Sequence, residues 1–400
     1  MTSAVPRRGR LDLWGLFAGA LAVRVLAALV LDGYRHPGLN EYEDIARSVV
    51  AGTGYRFYHL GVWYYSFAAP LFGGICAAIY WLGGTVGTVV ALQGIVSAAH
   101  AVLIAVMAER LFASRRAGWL AGALMAVHPG LTVYASGKAH DLTFDALFFT
   151  LILFFCWRLH ERPTVGRAIA AGVIVGIGAH SRGTAVVFLP VAAVWMLWCH
   201  RHGAWRHYLA RMVVAGLCAV AVITPWATRN IRIHHAFVWM LTTDGESLWD
   251  GNNPNATGHS YARPDQLAQS RWFTDQALSF VREHPGWAAK LYAMKFYAFW
   301  WFSPQIGTLY ARSWLLAYQA FYAGVLVLAA LGVRSVIVGG TPARRQELVL
   351  LGLFLLALSA LQSAYYVEGR HRWAIEPLLL IVAGGGAAWW WDAMRRRSSS

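Results

Sequence analysis

Apolar residues in this chain are gathered into long runs, and the segments between them hold most of its arginines. The runs cover residues 11–31, 86–112, 119–136, 142–159, 168–179, 185–198, 209–226, 314–333, 348–364 and 374–391. A helix needs about 20 apolar residues to cross the hydrocarbon core. The fifth and sixth runs reach that length once their neutral flanks are added. The pattern predicts an all-α, polytopic transmembrane bundle of about ten spans, forming one membrane-embedded domain over 1–400. The first run follows Arg7, Arg8 and Arg10; it is too long for a signal-peptide core, and no small-residue cleavage site follows it. It reads as an uncleaved span with a cytoplasmic N-terminus. Every second connection then falls inside and is arginine-rich: Arg110, Arg115 and Arg116; Arg158, Arg162 and Arg167; Arg201, Arg206 and Arg211; Arg334, Arg344 and Arg345; and the tail Arg395–Arg397. This is the positive-inside bias, and it puts both termini in the cytoplasm.

Two apolar segments do not read as spans. Residues 70–82 are too few, and 287–302 are interrupted by Lys290 and Lys295. Counting the second as a span would also put the Arg395–Arg397 tail outside. Both are expected to be juxtamembrane helices. Two large segments remain outside, 32–69 and 228–313, with short loops at 137–141, 180–183 and 366–373 on the same side.

Composition supports this class. Of 400 residues, 58% are hydrophobic and 13% charged, against roughly 25% charged in a soluble domain; the mean hydropathy is +0.46. Twenty Trp and 17 Tyr suit a protein with two water–lipid interfaces. The formal charge of +15 follows the topology and forms no continuous stripe, so nucleic acid is not an expected partner. Cys76, Cys156, Cys199 and Cys218 lie in or beside apolar runs without disulfide or zinc spacing. Fifteen histidines form no H-x-x-x-H or H-E-x-x-H array, so no metal is expected, although a divalent ion is compatible with the chemistry. No P-loop, Rossmann glycine motif or trustworthy D-x-D signature is present, which argues against a nucleotide-linked substrate.

The first external segment contains Asn40-Glu41-Tyr42-Glu43-Asp44, which reads as a helix start, with Gly52 as its C-cap. Glu43 completes a capping box with Asn40, and Asp44 also favours the helix dipole. Glu41 is not needed for capping and is the preferred catalytic carboxylate. Asp141 and Asp145 lie one turn apart at the outer start of the fourth run. Asp141 is a second carboxylate candidate; Asp145 is either functional or pairs with Lys138 or Arg24. Arg229 is a further site candidate or, with Asn230, a cap on the seventh run, and Asn252-Asn253-Pro254 reads as a turn over the site. Asn255-Ala256-Thr257 matches a glycosylation sequon by accident of composition.

The order of several motifs resembles the C-type (GT-C) membrane glycosyltransferases related to protein O-mannosyltransferases and the lipid A aminoarabinose transferase. Glu41-Tyr42-Glu43-Asp44 through Gly52-Thr53-Gly54-Tyr55 opens the resemblance. Val127-His128-Pro129, Arg182 after His180-Ser181, Pro225-Trp226-Ala227-Thr228-Arg229-Asn230, Leu248-Trp249-Asp250-Gly251-Asn252-Asn253-Pro254 and Gly369-Arg370-His371-Arg372-Trp373 continue it. Two departures stand out: Gly183 replaces a proline, and Glu41 stands where the family acid is commonly Asp. The resemblance implies transfer of a sugar from a polyprenyl-phosphate donor to a lipid, glycan or protein acceptor at the external face, with membrane lipids around it. It implies Glu41 as the base and a cationic seat for the departing phosphate; Lys138, Arg182, Arg370 and Arg372 are the candidates, headgroup snorkelling being their alternative. A bacterial inner membrane is the expected location. A secondary transporter and a non-catalytic assembly subunit are the rival readings; the halves show no repeat of the kind many transporters carry.

Overall fold

Lipid offers no partner to a backbone N–H or C=O, so runs this apolar must close their hydrogen bonds within themselves. They do so as helices. The computed structural model describes residues 10–39, 41–59, 61–254, 266–302 and 311–398. Asn40, expected as an N-cap, and the Asn255–Thr257 sequon lie outside the described residues.

The helices in chain order are α1 (Arg10–Val30), α2 (Glu41–Val50), α3 (Pro70–Trp81), α4 (Val86–Phe112), α5 (Arg115–Ala126), α6 (Pro129–Gly137), α7 (Leu142–Glu161), α8 (Val165–Ser181), α9 (Phe188–Cys199), α10 (Trp205–His234), α11 (Asp244–Gly251), α12 (Gln266–Glu283), α13 (Pro285–Trp300), α14 (Arg312–Gly339), α15 (Pro342–Ala364), α16 (Gly369–Trp373) and α17 (Glu376–Ser398). A 3₁₀ turn, Gly183–Val187, joins α8 to α9, and one short hairpin pairs β1 (Phe57–His59) with β2 (Val62–Tyr64).

Six of these helices, α1, α4, α7, α10, α14 and α15, are long and apolar enough to cross a membrane. The remaining four runs are helical but differ from the expectation. The run at 119–136 breaks at His128-Pro129 into α5 and α6, because proline cannot donate to the preceding turn. The break is capped from both sides. His128 Nδ1 accepts the Leu131 amide at 3.1 Å. Arg24, buried in α1, donates to the carbonyls of Met125 (2.9 Å) and Ala126 and to Ser97 Oγ (3.1 Å). A charge at that depth needs such partners, and here the freed carbonyls of a broken helix supply them. Arg24 therefore serves the break and does not pair with Asp145. α8 has 17 residues and α9 only 12, or about 18 Å of rise for α9. α17 is interior: every residue from His371 to Gly386 is buried.

The lipid-facing surface is carried by other helices. Leu29 of α1, Leu217 of α10 and Val327 of α14 are each more than half exposed; in water such apolar surface would be a liability, and against acyl chains it is not. α3 and α13, at 12 and 16 residues, are separate short helices as expected. α10 runs to His234, past the expected end at residue 226.

Candidate active site

The site is set by one junction. Gly38 pairs with Lys138 in a parallel bridge, Gly38 N donating to Gly137 O at 2.9 Å and Ala139 N to Gly38 O at 3.1 Å. The register is shared, so Glu41 and Asp141 each stand three residues beyond the bridge. Gly33 permits this approach: a Cβ there would lie 1.8 Å from Ser136 O. Gln93, fully buried in α4, clasps the second strand of the junction. Its amide donates to Lys138 O (2.8 Å) and Tyr134 O (3.2 Å), and its carbonyl accepts His140 N (3.2 Å). Tyr42 then donates to Asp141 Oδ2 at 2.6 Å, locking α2 to the start of α7. α2 ends as expected, with Gly52 at φ +73°.

Beside this junction opens a cavity of about 600 Å³. Glu41, His140, Asp141, Arg182, Arg370 and His371 form one part of its wall; Asp244, Glu246, Ser247 and Asp250 of α11 form another. Four residues singled out from sequence, Glu41, Asp141, Arg182 and Arg370, thus meet there. Arg182 reaches the wall because Asp145 holds it: Oδ2 is 3.2 Å from Arg182 Nη1, while Ser181 donates to Oδ1 at 2.6 Å. Gln362 accepts from the other end of the guanidinium at 3.4 Å. Asp145 therefore pairs with Arg182, and neither Lys138 nor Arg24 is its partner. Arg370 is braced by Glu368 at 2.7 Å and Tyr366 Oη at 3.4 Å.

The two carboxylates are pushed apart. Burial raises Glu41 above the ordinary glutamate value, and the charge of Asp141 adds to it, against its own backbone, His140 and Arg370. Burial acts the same way on Asp141 but is outweighed by His140, the Tyr42 hydroxyl and Arg182, which hold it well below the usual carboxylate range. Such a split assigns different roles to neighbouring acids.

Other expected site residues lie elsewhere. Arg372 points into the helix interior, 1% exposed, with Glu376 Oε1 2.5 Å from Nε and Tyr318 Oη 2.6 Å from Nη2. Interior acceptors claim its guanidinium, so it is not on the cavity wall. Lys138 turns its ammonium over the Tyr134 ring, 4.5 Å from the centroid. Glu43 accepts from Arg47 Nε at 2.8 Å and from Tyr80, tying α2 to α3. Arg229 lies inside α10, so it caps nothing there; it donates to Tyr65 O (2.6 Å) and Tyr55 O (2.8 Å) and anchors the first external segment. Asn230 is likewise buried within the helix, bonded to Ser66 and Met240 O. Asn252 and Asn253 close α11: Asn252 Nδ2 donates to Leu248 O and Ala364 O, both at 2.7 Å, and Asn253 Nδ2 to Trp249 O at 3.0 Å. Lys295 of α13 braces the same end through Gly251 O (2.8 Å). Among the described residues no group of three or more His, Cys, Asp or Glu is placed to hold a metal ion.

His140, His371, Tyr366 and Gln362 were not singled out from sequence. His140 adjoins Asp141, which is a usable signal once Asp141 is suspected. Gln362 is hidden as one polar residue in an apolar run.

Residues 68–228 match the family model of dolichyl-phosphate-mannose-protein mannosyltransferases, fewer than half of the chain. That stretch holds Asp141, Asp145 and Arg182 but neither Glu41 nor Arg370. The archaeal oligosaccharyltransferase AglB from Archaeoglobus fulgidus, solved in complex with an inhibitory peptide and a dolichol-phosphate, aligns with a TM-score of 0.58. The alignment covers 95% of this chain and 51% of that one at 12% identity, so the chain spans about half the length of AglB. ArnT from Cupriavidus metallidurans, bound to undecaprenyl phosphate, aligns more loosely: TM-score 0.46 and 17% identity over 89% of this chain and 77% of that one. A search of curated protein sequences finds no match. The fold is that of the C-type membrane glycosyltransferases, as the order of motifs implied.

Proposed function

We propose that this protein transfers a sugar from a polyprenyl-phosphate donor to an acceptor hydroxyl at the external face of the membrane. The acceptor is a lipid, a glycan or a protein; the proposed location is a bacterial inner membrane, and the arginine-rich connections support cytoplasmic termini. The observation that carries the reading is the meeting of Glu41 with Arg182 and Arg370 in one cavity of about 600 Å³. Glu41 takes the proton of the acceptor hydroxyl as its oxygen bonds to the anomeric carbon. The carbon–oxygen bond to phosphate breaks, and its electron pair stays on the phosphate oxygen. Arg370 and Arg182 stabilise that charge in a site already arranged for it, so little reorganisation opposes the transition state. Neither arginine is neutralised completely by its brace: Glu368 and Asp145 each occupy one edge of a planar group with five donors.

Incubating the purified protein in nanodiscs with radiolabelled polyprenyl-phosphate sugars and a membrane extract as acceptor tests the assignment. Label is expected to leave the donor and appear in the acceptor fraction. No transfer from any such donor by folded protein would overturn it.

The divided titration gives a second expectation. A base works ionised, so activity falls as pH drops through the elevated pKa of Glu41. Asp141 contributes to that elevation. Asp141→Asn removes the charge and is expected to move the acid limb of the kcat/KM profile to lower pH, whatever it does to the plateau. An unmoved limb, or a move to higher pH, would dissociate that limb from Glu41.

A further inference from the structure

His140 stands on the cavity wall between the two groups just discussed, Asp141 and Arg370. Its backbone is fixed by the Gln93 clasp, its ring meets Tyr134 edge-on at 5.0 Å, and 13% of its side chain is exposed. Nδ1 lies 2.6 Å from Asp141 Oδ1 and 3.1 Å from the amide of Leu142. Asp141 already accepts the Tyr42 hydroxyl at its other oxygen. The Leu142 N–H donates to Nδ1, so that nitrogen is the acceptor and the ring proton sits on Nε2. Nε2–H is thus the outward donor. The neighbour of Nε2 is Nη1 of Arg370, 3.5 Å away. A separation at the outer limit of a hydrogen bond brackets a space between the two groups more than it joins them.

We propose that His140 Nε2 and Arg370 together seat the phosphate of the lipid-linked donor. Nε2–H donates a hydrogen bond to a phosphate oxygen, beside those from the arginine. No covalent bond forms to the ring, and the N–H···O bond is retained when the sugar leaves and the electron pair falls on the phosphate. The inference rests on the polyprenyl-phosphate reading above. The competing role is structural, with His140 serving only to cap the start of α7 by accepting the Leu142 amide at Nδ1.

Two substitutions separate these roles. His140→Asn puts an amide near Nδ1 and nothing at Nε2; His140→Gln reaches the Nε2 position and loses the Nδ1 contact. Binding of undecaprenyl phosphate and of undecaprenol to the full chain in nanodiscs is the readout, with a folding check by size exclusion and thermal unfolding. His140→Asn is expected to weaken undecaprenyl phosphate by about tenfold, the worth of one charge-assisted hydrogen bond, without changing undecaprenol. His140→Gln is expected to keep affinity within about threefold of wild type. Wild-type affinity in the Asn variant, or an Asn loss shared equally by both lipids, or a larger loss in Gln than in Asn, would overturn the proposal. Failure of the underlying reading shows differently, as a wild-type protein that does not prefer the phosphate over the alcohol.

Discussion

Glu41→Gln is expected to reduce kcat for sugar transfer by about 10³-fold, the usual worth of a positioned general base, with the KM for the donor nearly unchanged. The amide keeps the size and most of the hydrogen bonding of the side chain but cannot accept the hydroxyl proton. Because Glu41 takes part only as that proton moves, the loss belongs in kcat and not in ground-state binding. Folding is protected by geometry. α2 is held through Tyr42 to Asp141 and through Glu43 to Tyr80, neither of which involves the Glu41 carboxyl. Glu41→Asp should fall between wild type and Gln, since the carboxylate survives but is drawn back by about one methylene, a scale of misplacement that costs up to about 10²-fold. Single-turnover transfer in nanodiscs, with donor and acceptor both saturating, measures the step directly. Activity of the Gln variant within about tenfold of wild type would remove Glu41 as the base. Asp141 would be a poor replacement: its Oδ2 accepts the Tyr42 hydroxyl, and its surroundings hold it well below the usual carboxylate range.

The helical class and the position of the first acid were legible because each depends on local pattern. Long apolar runs need no tertiary information to be helices in lipid, and a capping sequence with a spare acid marks the start of α2. What was not legible depends on which long-range partner a side chain finds. The pairing of Gly38 with Lys138, a hundred residues apart, brings Glu41 beside Asp141, and nothing in either segment announces it. The Arg24 side chain looked like a partner for an intramembrane acid, and it went instead to the carbonyls of a broken helix. The break itself was visible as His128-Pro129 but was read through, because the apolar run continues on both sides. Asp145 was expected either to be functional or to pair with Lys138 or Arg24; the arginine it meets is Arg182, which follows α8. Among the described residues six of the ten predicted spans have the length and hydropathy to cross alone. α17 shows why one falls short: its glycines lie in a half that packs among other helices, while its tryptophans stand exposed towards the other end, and both lower its hydropathy.

Arg370 and Arg372 show the same limit at closest range, and they supply the second large effect. Two residues apart on α16, they were equivalent candidates for the phosphate. Arg372 turns inward and is bonded to Glu376, Tyr318 Oη and the carbonyls of Phe299 and Trp301, with the Tyr322 ring 4.0 Å below its guanidinium. Glu376 is in turn held by Tyr318 Oη at 2.5 Å and by His128. This cluster joins the end of α13, the middle of α14, the α5–α6 break and the start of α17. Removing one member leaves a buried charge without its partner, which costs about 3–5 kcal/mol, a large share of the stability of most folds. Arg372→Met is therefore expected to lower the unfolding temperature of the purified protein sharply and to reduce its yield. Adding Glu376→Gln to Arg372→Met should recover a substantial part of that loss, because the orphaned carboxylate is then neutral. Arg370→Ala should do the opposite: little change in unfolding temperature, since its neighbour Tyr366 lines the cavity and Glu368 is partly exposed, but weaker binding of the phosphate-bearing lipid. If Arg372→Met were as stable as wild type and deficient only in phosphate binding, the inward cluster would not be the role of Arg372. The two substitutions thus divide adjacent arginines into one that holds the bundle together and one that lines the cavity.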